Sequence, residues 1–360
     1  MSSVLGTCVA ALKGGLFVTI SFIFQFPMTK IQILNRVLLS AILFGTIFFL
    51  VLASVQCGSA PRLGRSETPL EKIPFDGKNA YRYLVALCEI GPRPTASEGM
   101  RRQQTFLEEH FRQCGGTVEY QPFSFAHPEN GTPVQGANLI VRWKPERKER
   151  ILLCAHYDTL PLPLLDPPGS QKPFVGAEDN ASGVSILMQM GHSMNAMLER
   201  QQKRYGVDFV FLDAEEFMFR PHGRFCRGSE YFGFQYAAQS PKERGFTYTC
   251  GVLLDLVGQH NVTLLKEKQS YQWNDTRPIV NEIWNTARNL GVREFRHQVM
   301  DSVILDDHVM LRNVGKIPTI DIIDLDYAPW HTSADTPDKC SPLSLARVGW
   351  VVSHWLANKP

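Results

Sequence analysis

One apolar segment that runs directly into acidic residues constrains the fold of this chain more than any other feature. Residues 207–213 read Val-Asp-Phe-Val-Phe-Leu-Asp, which is typical of a strand buried in a parallel sheet. Glu215 and Glu216 follow almost at once. Functional residues of open α/β sheets collect where the strands end, so we expect this pair at the carboxyl edge of such a sheet. Adjacent carboxylates there point in different directions, so that one can bind a metal while its neighbour remains free as a base.

Two further predicted strands end in residues that can bind a metal. Residues 151–155 lead into His156 and Asp158, which lie on the same side of an extended chain. Residues 252–254 form another apolar segment, and they lead into Asp255. A buried, hydrogen-bonded histidine or a single acid at a strand end is common in proteins of every kind. Their significance therefore depends on whether similar residues recur at other strand ends.

Asp179 and His331 complete the series. Asp179 lies in a small, turn-rich segment before an apolar helical run, and a helix N-terminus favours an anionic side chain. Trp330 and His331 lie in a loop after the strand that we predict over residues 317–323. A capping role would explain Asp179 alone, but it does not explain the whole series. Two or three carboxylates with one or two imidazoles predict a catalytic zinc site that keeps a position open for water or substrate.

Predicted strands and helices alternate from residue 76 onward. The strands lie near residues 139–143, 150–155, 207–212, 251–254, 262–265 and 317–323. The helices lie near residues 97–114, 184–198, 229–238, 279–290, 307–312 and 343–356. This order predicts an α/β fold, with three α/β/α layers around a mixed, mostly parallel central sheet. The Pro- and Leu-rich segment 160–175 is expected to form a surface lid without regular structure.

The N-terminal part differs in composition from the rest of the chain. Residues 37–55 are apolar and uncharged and follow basic residues, which is typical of a signal sequence or a single membrane anchor. We therefore assign residues 1–56 to such a segment, with Met28 as an alternative start, and residues 57–75 to a linker. Residues 76–360 form the predicted catalytic domain. We expect an exported protein, either secreted or periplasmic or held at a membrane that this segment would contact.

Composition excludes some partners and leaves others open. The 360 residues carry a formal net charge of +2, and no cluster of Lys and Arg is interleaved with aromatic residues, which argues against a nucleic-acid partner. Six of the eight cysteines follow residue 57, which is compatible with an exported protein that has a few disulfides. Their wide spacing contains no Cys-x-x-Cys metal motif. Cys154 lies within a predicted strand, and we expect it to be buried and inert.

Several short motifs occur in an order that is known from one protein family. They are, in chain order, Ile90-Gly91-Pro92-Arg93-Pro94, His156-Tyr157-Asp158, Asp179-Asn180-Ala181-Ser182-Gly183, Glu215-Glu216, Leu254-Asp255-Leu256-Val257-Gly258, Asp306-Asp307-His308 and Trp330-His331-Thr332. Together they resemble the co-catalytic zinc aminopeptidases, and more closely the branch of glutaminyl-peptide cyclotransferases (glutaminyl cyclases). The resemblance runs from about residue 81 to the C-terminus. The complete ordered set is specific, whereas any single motif would be weak.

The resemblance implies that Asp179, Glu216 and His331 hold a zinc ion and that Glu215 is the general acid/base. The implied reaction converts the N-terminal Gln of a peptide into pyroglutamate and releases ammonia. Peptide or protein N-termini are therefore the implied partners of the site.

The resemblance also implies roles around the base, and the chain departs from the family at two points. Asp255 and Asp306 would form a hydrogen-bonded acid network, and Trp330 would form a wall of the substrate pocket. Cyclotransferases usually carry a Trp in the lip after the Glu pair, but residues 217–223 contain none. The cysteine pair that some animal members have near the zinc is incomplete, since Cys154 lacks its partner. The first departure bears on the substrate and the second only on stability.

A zinc aminopeptidase is the alternative that these residues leave open. His156 and Asp255 would then help to hold a second zinc, Asp179 would bridge the two metals, and Glu215 would activate a water. The Asp-Asp-His motif and Trp330 favour the cyclotransferase with one zinc, whereas the missing lip Trp favours the peptidase with two. A non-catalytic binding domain on the same fold is the least favoured alternative, because it should have lost ligands or the base.

Overall fold

The computed structural model describes residues 5–11, 17–23, 68–170, 172–201, 205–220 and 223–359. The chain divides into two compact units, Met1–Leu63 and Gly64–Pro360. In the first unit, strands β1 (Leu5–Ala11) and β2 (Phe17–Ile23) pair in antiparallel orientation. The predicted apolar run at residues 37–55 and the alternative start lie outside the described residues. Within the described ranges, every helix is too short or too polar to cross a membrane.

The second unit contains a six-stranded central sheet. Its strands and those of a small side sheet are β3 (Thr117–Ala126), β4 (Pro133–Trp143), β5 (Glu149–His156), β6 (Gly206–Leu212), β7 (Thr247–Asp255), β8 (Leu264–Lys266), β9 (Phe295–Val299) and β10 (Thr319–Ile323). The central sheet has the order β10-β7-β5-β6-β4-β3, and β8 pairs with β9. The pairs from β10 to β6 are parallel, whereas β4 is antiparallel to both β6 and β3. The predicted mixed, mostly parallel sheet is thus confirmed.

Helices cover this sheet, and side chains cap the start of several of them. They are α1 (Gly77–Glu89), α2 (Glu98–Gln113), α3 (Ser182–Gly191), α4 (Met194–Arg200), α5 (Arg227–Ala238), α6 (Pro241–Arg244), α7 (Lys268–Gln272), α8 (Arg277–Leu290), α9 (Asp307–Asn313) and α10 (Pro342–Ala357). The Asp76 carboxylate accepts a hydrogen bond from Asn79 N, and the Ser97 hydroxyl accepts one from Met100 N. These side chains satisfy backbone donors that the first helical turn leaves free.

Alternation of side chains along the strands creates the three layers. On β5, Leu153 faces a core that it shares with α1, α2, α3, α8 and α10, whereas Cys154 faces a second core. Phe232 of α5 and Leu311 of α9 belong to that second core. Because successive strand residues point to opposite faces, a wholly apolar strand needs helices on both sides. The predicted three-layer α/β/α fold is confirmed.

Some elements differ from the sequence prediction. The helix predicted over residues 184–198 is divided into α3 and α4, since the chain turns at residues 192–193. β3, β9 and α1 were not predicted. β3 is an edge strand whose residues are mostly exposed or half-buried, so its sequence lacks the apolar run that marks the central strands.

The segment 160–175 forms no helix or strand in its described residues, as expected of a lid. Leu160 and Phe174 near its ends are buried in a small cluster with Met218. Leu162 and Leu165 between them are exposed. The ends of the lid are therefore fixed by packing, while Leu162 and Leu165 expose their side chains.

The C-terminal end of the predicted linker packs against the domain. Ile73 and Phe75 are buried in the main core. A Cβ at Gly349 of α10 would lie 2.3 Å from the Phe75 ring, so this glycine makes room for the ring. Residues 73–75 therefore contribute to the packing of the second unit.

The cysteines whose side chains the structure describes are all free thiols, namely Cys88, Cys114, Cys154, Cys226, Cys250 and Cys340. Disulfides, with which the number of cysteines is compatible, are not formed among these six. Cys154 is fully buried, as expected, and burial raises the pKa of its thiol well above the usual range. Such a thiol stays protonated and is a poor nucleophile.

Candidate active site

The carboxyl ends of three neighbouring parallel strands bring the predicted site residues together. β5 ends at His156, and β7 ends at Asp255. Glu215 and Glu216 follow the end of β6, and β5 lies between β6 and β7. Because parallel strands end at the same edge, residues far apart in the sequence converge there.

A buried carboxylate fixes the backbone of the Glu pair. The Asp158 side chain accepts hydrogen bonds from Glu215 N and Glu216 N, both at 3.0 Å. Asp158 is fully buried. The two-residue spacing of His156 and Asp158 thus places one side chain in the site and the other under the turn that carries the Glu pair.

A second buried carboxylate holds Asp179 in the same manner. Asp179 lies just before α3 in a segment where its own backbone is not helical, and the Asp335 side chain accepts hydrogen bonds from Glu178 N at 2.9 Å and from Asp179 N at 3.1 Å. The Tyr327 hydroxyl donates to Asp335 at 2.7 Å. Burial raises the pKa of Asp335 to about 7. Sequence reasoning missed Asp335 and Tyr327.

Asp179, Glu216 and His331 form a buried set of potential metal ligands. His331 Nε2 lies 2.9 Å from Glu216 Oε1 and 3.7 Å from Asp179 Oδ2. One donor atom from each residue lies within 4.8 Å of the others. Glu216 Oε1 and Asp179 Oδ2 are buried and, apart from their closeness to the His331 ring, have no hydrogen-bond partner among the described residues. Two carboxylates and one imidazole suit zinc, so the residues present fit this metal.

His156, Asp179 and Asp255 form a second such set that shares Asp179 with the first. His156 Nε2 lies 3.0 Å from Asp179 Oδ1 and 3.2 Å from Asp255 Oδ1. Burial opposes the charged form of His156, but the neighbouring carboxylates of Asp158, Asp179 and Asp255 raise its pKa well above the usual range. His156, Asp179 and Asp255 would be the residues to hold a second metal, and Asp179 is common to both sets.

Glu215 lies beside the first metal set and contacts a different group of residues. Its carboxylate lies within 4.8 Å of donor atoms of Cys226 and Asp306. The Cys226 thiol donates to Glu215 Oε1 at 3.3 Å. Burial raises the pKa of Glu215 well above its usual range, and the charges of Asp306 and Asp307 act in the same direction. A raised pKa brings a carboxyl group closer to the range in which a general acid/base works.

Asp255 and Asp306 both lie at this site, but their contacts differ from the predicted pair. Burial raises the pKa of Asp255 to about 7 and also raises the pKa of Asp306. Asp306 caps α9, where its side chain accepts from Asp307 N, while Asp255 contacts His156. The predicted hydrogen bond between Asp255 and Asp306 is not among the contacts of the described residues. The two carboxylates influence each other through their charges.

One cavity of about 200 Å³ reaches the first metal set, Glu215, Asp255 and Asp306. It is lined by Asp179, Glu215, Glu216, Phe225, Asp255, Val303, Ile304, Leu305, Asp306, Ile323, Leu325, Trp330 and His331. Trp330 stacks on His331, with ring centroids 3.7 Å apart. The cavity thus has acidic groups and an imidazole on one side and apolar walls on the other. Every predicted metal ligand and acid of the cyclotransferase assignment borders it.

The missing lip Trp has a partial substitute that sequence reasoning did not identify. Phe225 lines the cavity, whereas Phe217 packs away from it against Phe125 and Phe219. Phe225 directly precedes Cys226, the thiol that contacts Glu215. Phe225 lies just before the start of α5, and an aromatic residue at that place is the sequence feature that could have predicted this part of the cavity wall.

Two solved structures and one sequence relative are similar to this chain over most of its length. The crystal structure of Fimbriiglobus ruber glutaminyl cyclase has a TM-score of 0.73 and 34% identity, covering 79% of this chain and 95% of that chain. That of a leucine aminopeptidase precursor from Bacteroides thetaiotaomicron has a TM-score of 0.71 and 31% identity, covering 80% and 99%. A glutaminyl-peptide cyclotransferase-like protein of Mus musculus is 25% identical over 286 residues, covering 74% of this chain and 72% of the relative.

The sequence of the catalytic unit also matches a family profile. The resemblance to glutaminyl cyclases and zinc aminopeptidases is confirmed, since relatives of both names share the fold. Residues 138–356, which contain both metal sets and the cavity acids, match the profile of Peptidase family M28. The chain therefore belongs to peptidase family M28.

Proposed function

We propose that the chain is a zinc-dependent glutaminyl-peptide cyclotransferase, which converts the N-terminal Gln of peptides into pyroglutamate with release of ammonia. The observation that carries the proposal is the position of Asp306 in the cavity beside Glu215. Cyclisation transfers a proton from an amine to leaving ammonia within one substrate molecule. A second carboxyl group that orients the amine suits this task, whereas hydrolysis through two metals and one base has no use for it.

Asp179, Glu216 and His331 would hold one zinc ion. Zinc bound there would act as a Lewis acid and polarise the γ-carboxamide carbonyl of the substrate. The carboxylates of Asp179 and Glu216 have buried oxygens without hydrogen-bond partners in the described part of the chain, which leaves them available as ligands.

Glu215 would accept a proton from the substrate α-amine and deliver it to the departing ammonia. Burial, which raises its pKa, makes one carboxyl group able to do both. Asp255 and Asp306 would hold the amine by hydrogen bonds. Because ring closure is intramolecular, orientation contributes more than the activation of a water.

The apolar walls would exclude water and hold the substrate side chain. Trp330 and Phe225 provide aromatic surfaces at the cavity. Val303 and Leu305 are 57% and 58% exposed at its border, where they would meet the peptide beyond the first residue. The partners of the site are then peptide or protein N-termini, and the exported location remains a proposal that rests on residues 37–55 alone.

A zinc aminopeptidase is the second candidate, and one observation favours it. His156 lies 3.0 Å from Asp179 and 3.2 Å from Asp255, so the ligands of a second metal are assembled. In that case Glu215 would take a proton from the attacking water. The structural relative named leucine aminopeptidase precursor is consistent with this candidate.

A product analysis separates the two activities. The full chain is incubated with Gln-Phe and, as a matched control, with Leu-Phe, and the products are identified by mass. We expect loss of ammonia from Gln-Phe and an unchanged Leu-Phe. Cleavage of Leu-Phe with gain of water would establish the peptidase instead. If both dipeptides remain intact with zinc-loaded protein, the third alternative, a binding domain without catalysis, would replace the proposal.

A further inference from the structure

The thiol of Cys114 and the imidazoles of His110 and His192 lie close together near the C-terminal end of α2, outside the catalytic cavity. Cys114 Sγ lies 3.7 Å from His110 Nε2 and 3.8 Å from His192 Nδ1. His110 is buried, Cys114 is half-buried and His192 is exposed, so solvent reaches the cluster from one side. None of these three residues lines the catalytic cavity, and neither the family nor the proposed reaction gives them a role.

The two sulfur–nitrogen distances in this cluster are close to those of a tetrahedral zinc site, and the two nitrogens lie within 4.8 Å of each other. Bond lengths of about 2.3 Å to sulfur and about 2.0–2.1 Å to nitrogen place S and N ligands about 3.6 Å apart. The two sulfur–nitrogen distances in the cluster differ from this value by only a few tenths of an ångström. A cation could therefore enter with small movements of the side chains.

Tyr83 of α1 orients one of the imidazoles. Its hydroxyl oxygen lies 2.7 Å from His192 Nε2, and the two rings are stacked. When Nε2–H donates to this oxygen, Nδ1 presents its lone pair to Cys114. Metal-binding histidines almost always have a hydrogen bond of this kind on their second nitrogen.

The surroundings of His110 also favour the binding of a cation, although this binding would break one hydrogen bond of the ring. Burial lowers the pKa of His110, so its ring is neutral and able to ligate at neutral pH. His110 and Cys114 lie at the C-terminal end of α2, where the helix dipole favours positive charge. His110 Nε2 also lies 2.9 Å from the Met188 carbonyl, so a metal would replace the proton that this contact holds.

We propose that His110, Cys114 and His192 form a second metal site, which binds Zn²⁺ or another thiophilic transition-metal cation and leaves one coordination position to solvent. The site links the C-terminal end of α2 to the residue that follows α3. One thiolate and two imidazoles are a ligand set that selects zinc over calcium or magnesium.

The first test counts metal in the full chain with its catalytic zinc in place. Cobalt is added to the wild type, to Cys114→Ser and to Cys250→Ala, a matched control at a free, buried cysteine outside the cluster. We expect the wild type and the control to bind one more equivalent than Cys114→Ser and to show a thiolate-to-cobalt absorption band. Equal stoichiometry and equal spectra for all three proteins would overturn the proposal. Turnover of a Gln-peptide should be the same in all three.

The second test needs no variant at the ligands and distinguishes coordination from a structural role. Zinc should slow alkylation of Cys114 in the wild type on the order of tenfold, since only a free thiolate is a nucleophile. Tyr83→Phe should weaken zinc binding by about tenfold while the protein stays folded, because it removes the partner of His192 Nε2. An alkylation rate at Cys114 that zinc leaves unchanged would overturn the proposal even if every variant failed to fold.

Discussion

Strands β5, β6 and β7 carry buried charge at both of their ends, and the two ends accommodate it in opposite ways. At the amino ends, Arg150, Asp208 and Tyr248 form one hydrogen-bonded cluster. At the carboxyl ends, acids and imidazoles border the cavity. The same three strands therefore hold one charged cluster that is internally compensated and one that is not.

Hydrogen bonds satisfy the charges at the amino ends. Arg150 Nε lies 3.2 Å from both Asp208 carboxylate oxygens, and its Nη2 donates to the carbonyls of Trp143 at 3.1 Å and Val207 at 3.2 Å. The Tyr248 hydroxyl also donates to Asp208. A buried ion pair offsets its desolvation only when the remaining donors and acceptors are hydrogen-bonded in this way.

The acids at the carboxyl ends keep oxygens without a hydrogen bond, although imidazole rings lie close to those of Glu216 and Asp255. Within the described residues, buried oxygens that lack a hydrogen bond belong to Asp179, Glu216, Asp255, Asp306, Asp307 and Asp321, among others. Such groups are rare in protein interiors because each costs free energy. Their concentration at one edge of the sheet indicates that this edge serves chemistry, whereas the opposite edge serves stability.

The largest expected effect distinguishes the general acid/base from the metal ligands at the carboxyl ends of the strands. Glu215→Gln should lower turnover of a Gln-peptide by about 10²–10⁴-fold while zinc stays bound, because it removes the general acid/base alone. Glu216→Gln and His331→Ala should release the metal, because they remove ligands. Emission spectroscopy for zinc, run beside the activity assay, checks both statements. A metal-free Glu215→Gln protein would show that the roles are assigned incorrectly.

A substitution at the amino ends of these strands should change the stability of the protein and not its catalytic activity. Arg150→Met should lower the free energy of unfolding by about 3–5 kcal/mol, because it leaves the Asp208 charge buried without its main partner. Below the melting temperature, kcat should be unchanged. Denaturant unfolding and steady-state kinetics measure the two quantities. The double variant Arg150→Met/Asp208→Leu is the control, and it should recover part of the loss because no buried charge remains from this pair.

Asp306 tests which reaction the carboxyl end performs. Asp306→Ala should keep zinc and fold but lower cyclisation by at least about 100-fold, the scale for losing one positioned polar group. Asp324→Asn is a control at the residue after β10, since Asp324 is a buried acid that does not line the cavity. Near-wild-type cyclisation by Asp306→Ala would contradict the orienting role. Cys114→Ser removes a ligand of the proposed surface metal site. If this variant still binds two zinc ions per chain and hydrolyses peptides, the zinc aminopeptidase would replace the cyclotransferase as the proposed function.

The smallest expected effect concerns Glu267, an acid near the carboxyl ends of the strands whose charge is stabilised by hydrogen bonds and a nearby imidazole. Glu267 accepts from Gln269 N at 2.9 Å and Ser270 N at 2.6 Å and lies 3.3 Å from His308 Nε2. Burial opposes ionisation, but these contacts lower the pKa of Glu267 to about 2 from 4.5. Because the folded-state pKa is depressed, its contribution to stability is present above pH 4.5 and is lost as pH falls toward 2.

Acid unfolding of Glu267→Gln measures this contribution. The variant should be less stable than the wild type near pH 6, and the difference should shrink between pH 4.5 and 2. Glu71→Gln is the control, since Glu71 lies exposed in a short 3-10 turn at Leu70–Lys72, and it should track the wild type. A difference that stays constant across this range would mean that packing, and not ionisation, explains the effect.

The sequence by itself determined the α/β fold and the main components of the candidate site. Apolar runs that end in acids are local patterns, and the rule that parallel strands end at one edge converts them into a spatial prediction. His156, Glu216 and Asp255 could therefore be placed together before the fold was known. The family motifs added Asp306 and Trp330.

Only the tertiary structure decided how these side chains are held. Asp335 accepts a hydrogen bond from Glu178 N, 157 positions away in the sequence, and Cys226 contacts Glu215 because α5 returns the chain to the site. Arg150 and Asp208 pair across two strands, and no local pattern marks either residue. Hydrophobic periodicity specifies which residues are buried along one element, but the partners of a buried polar group depend on contacts between elements.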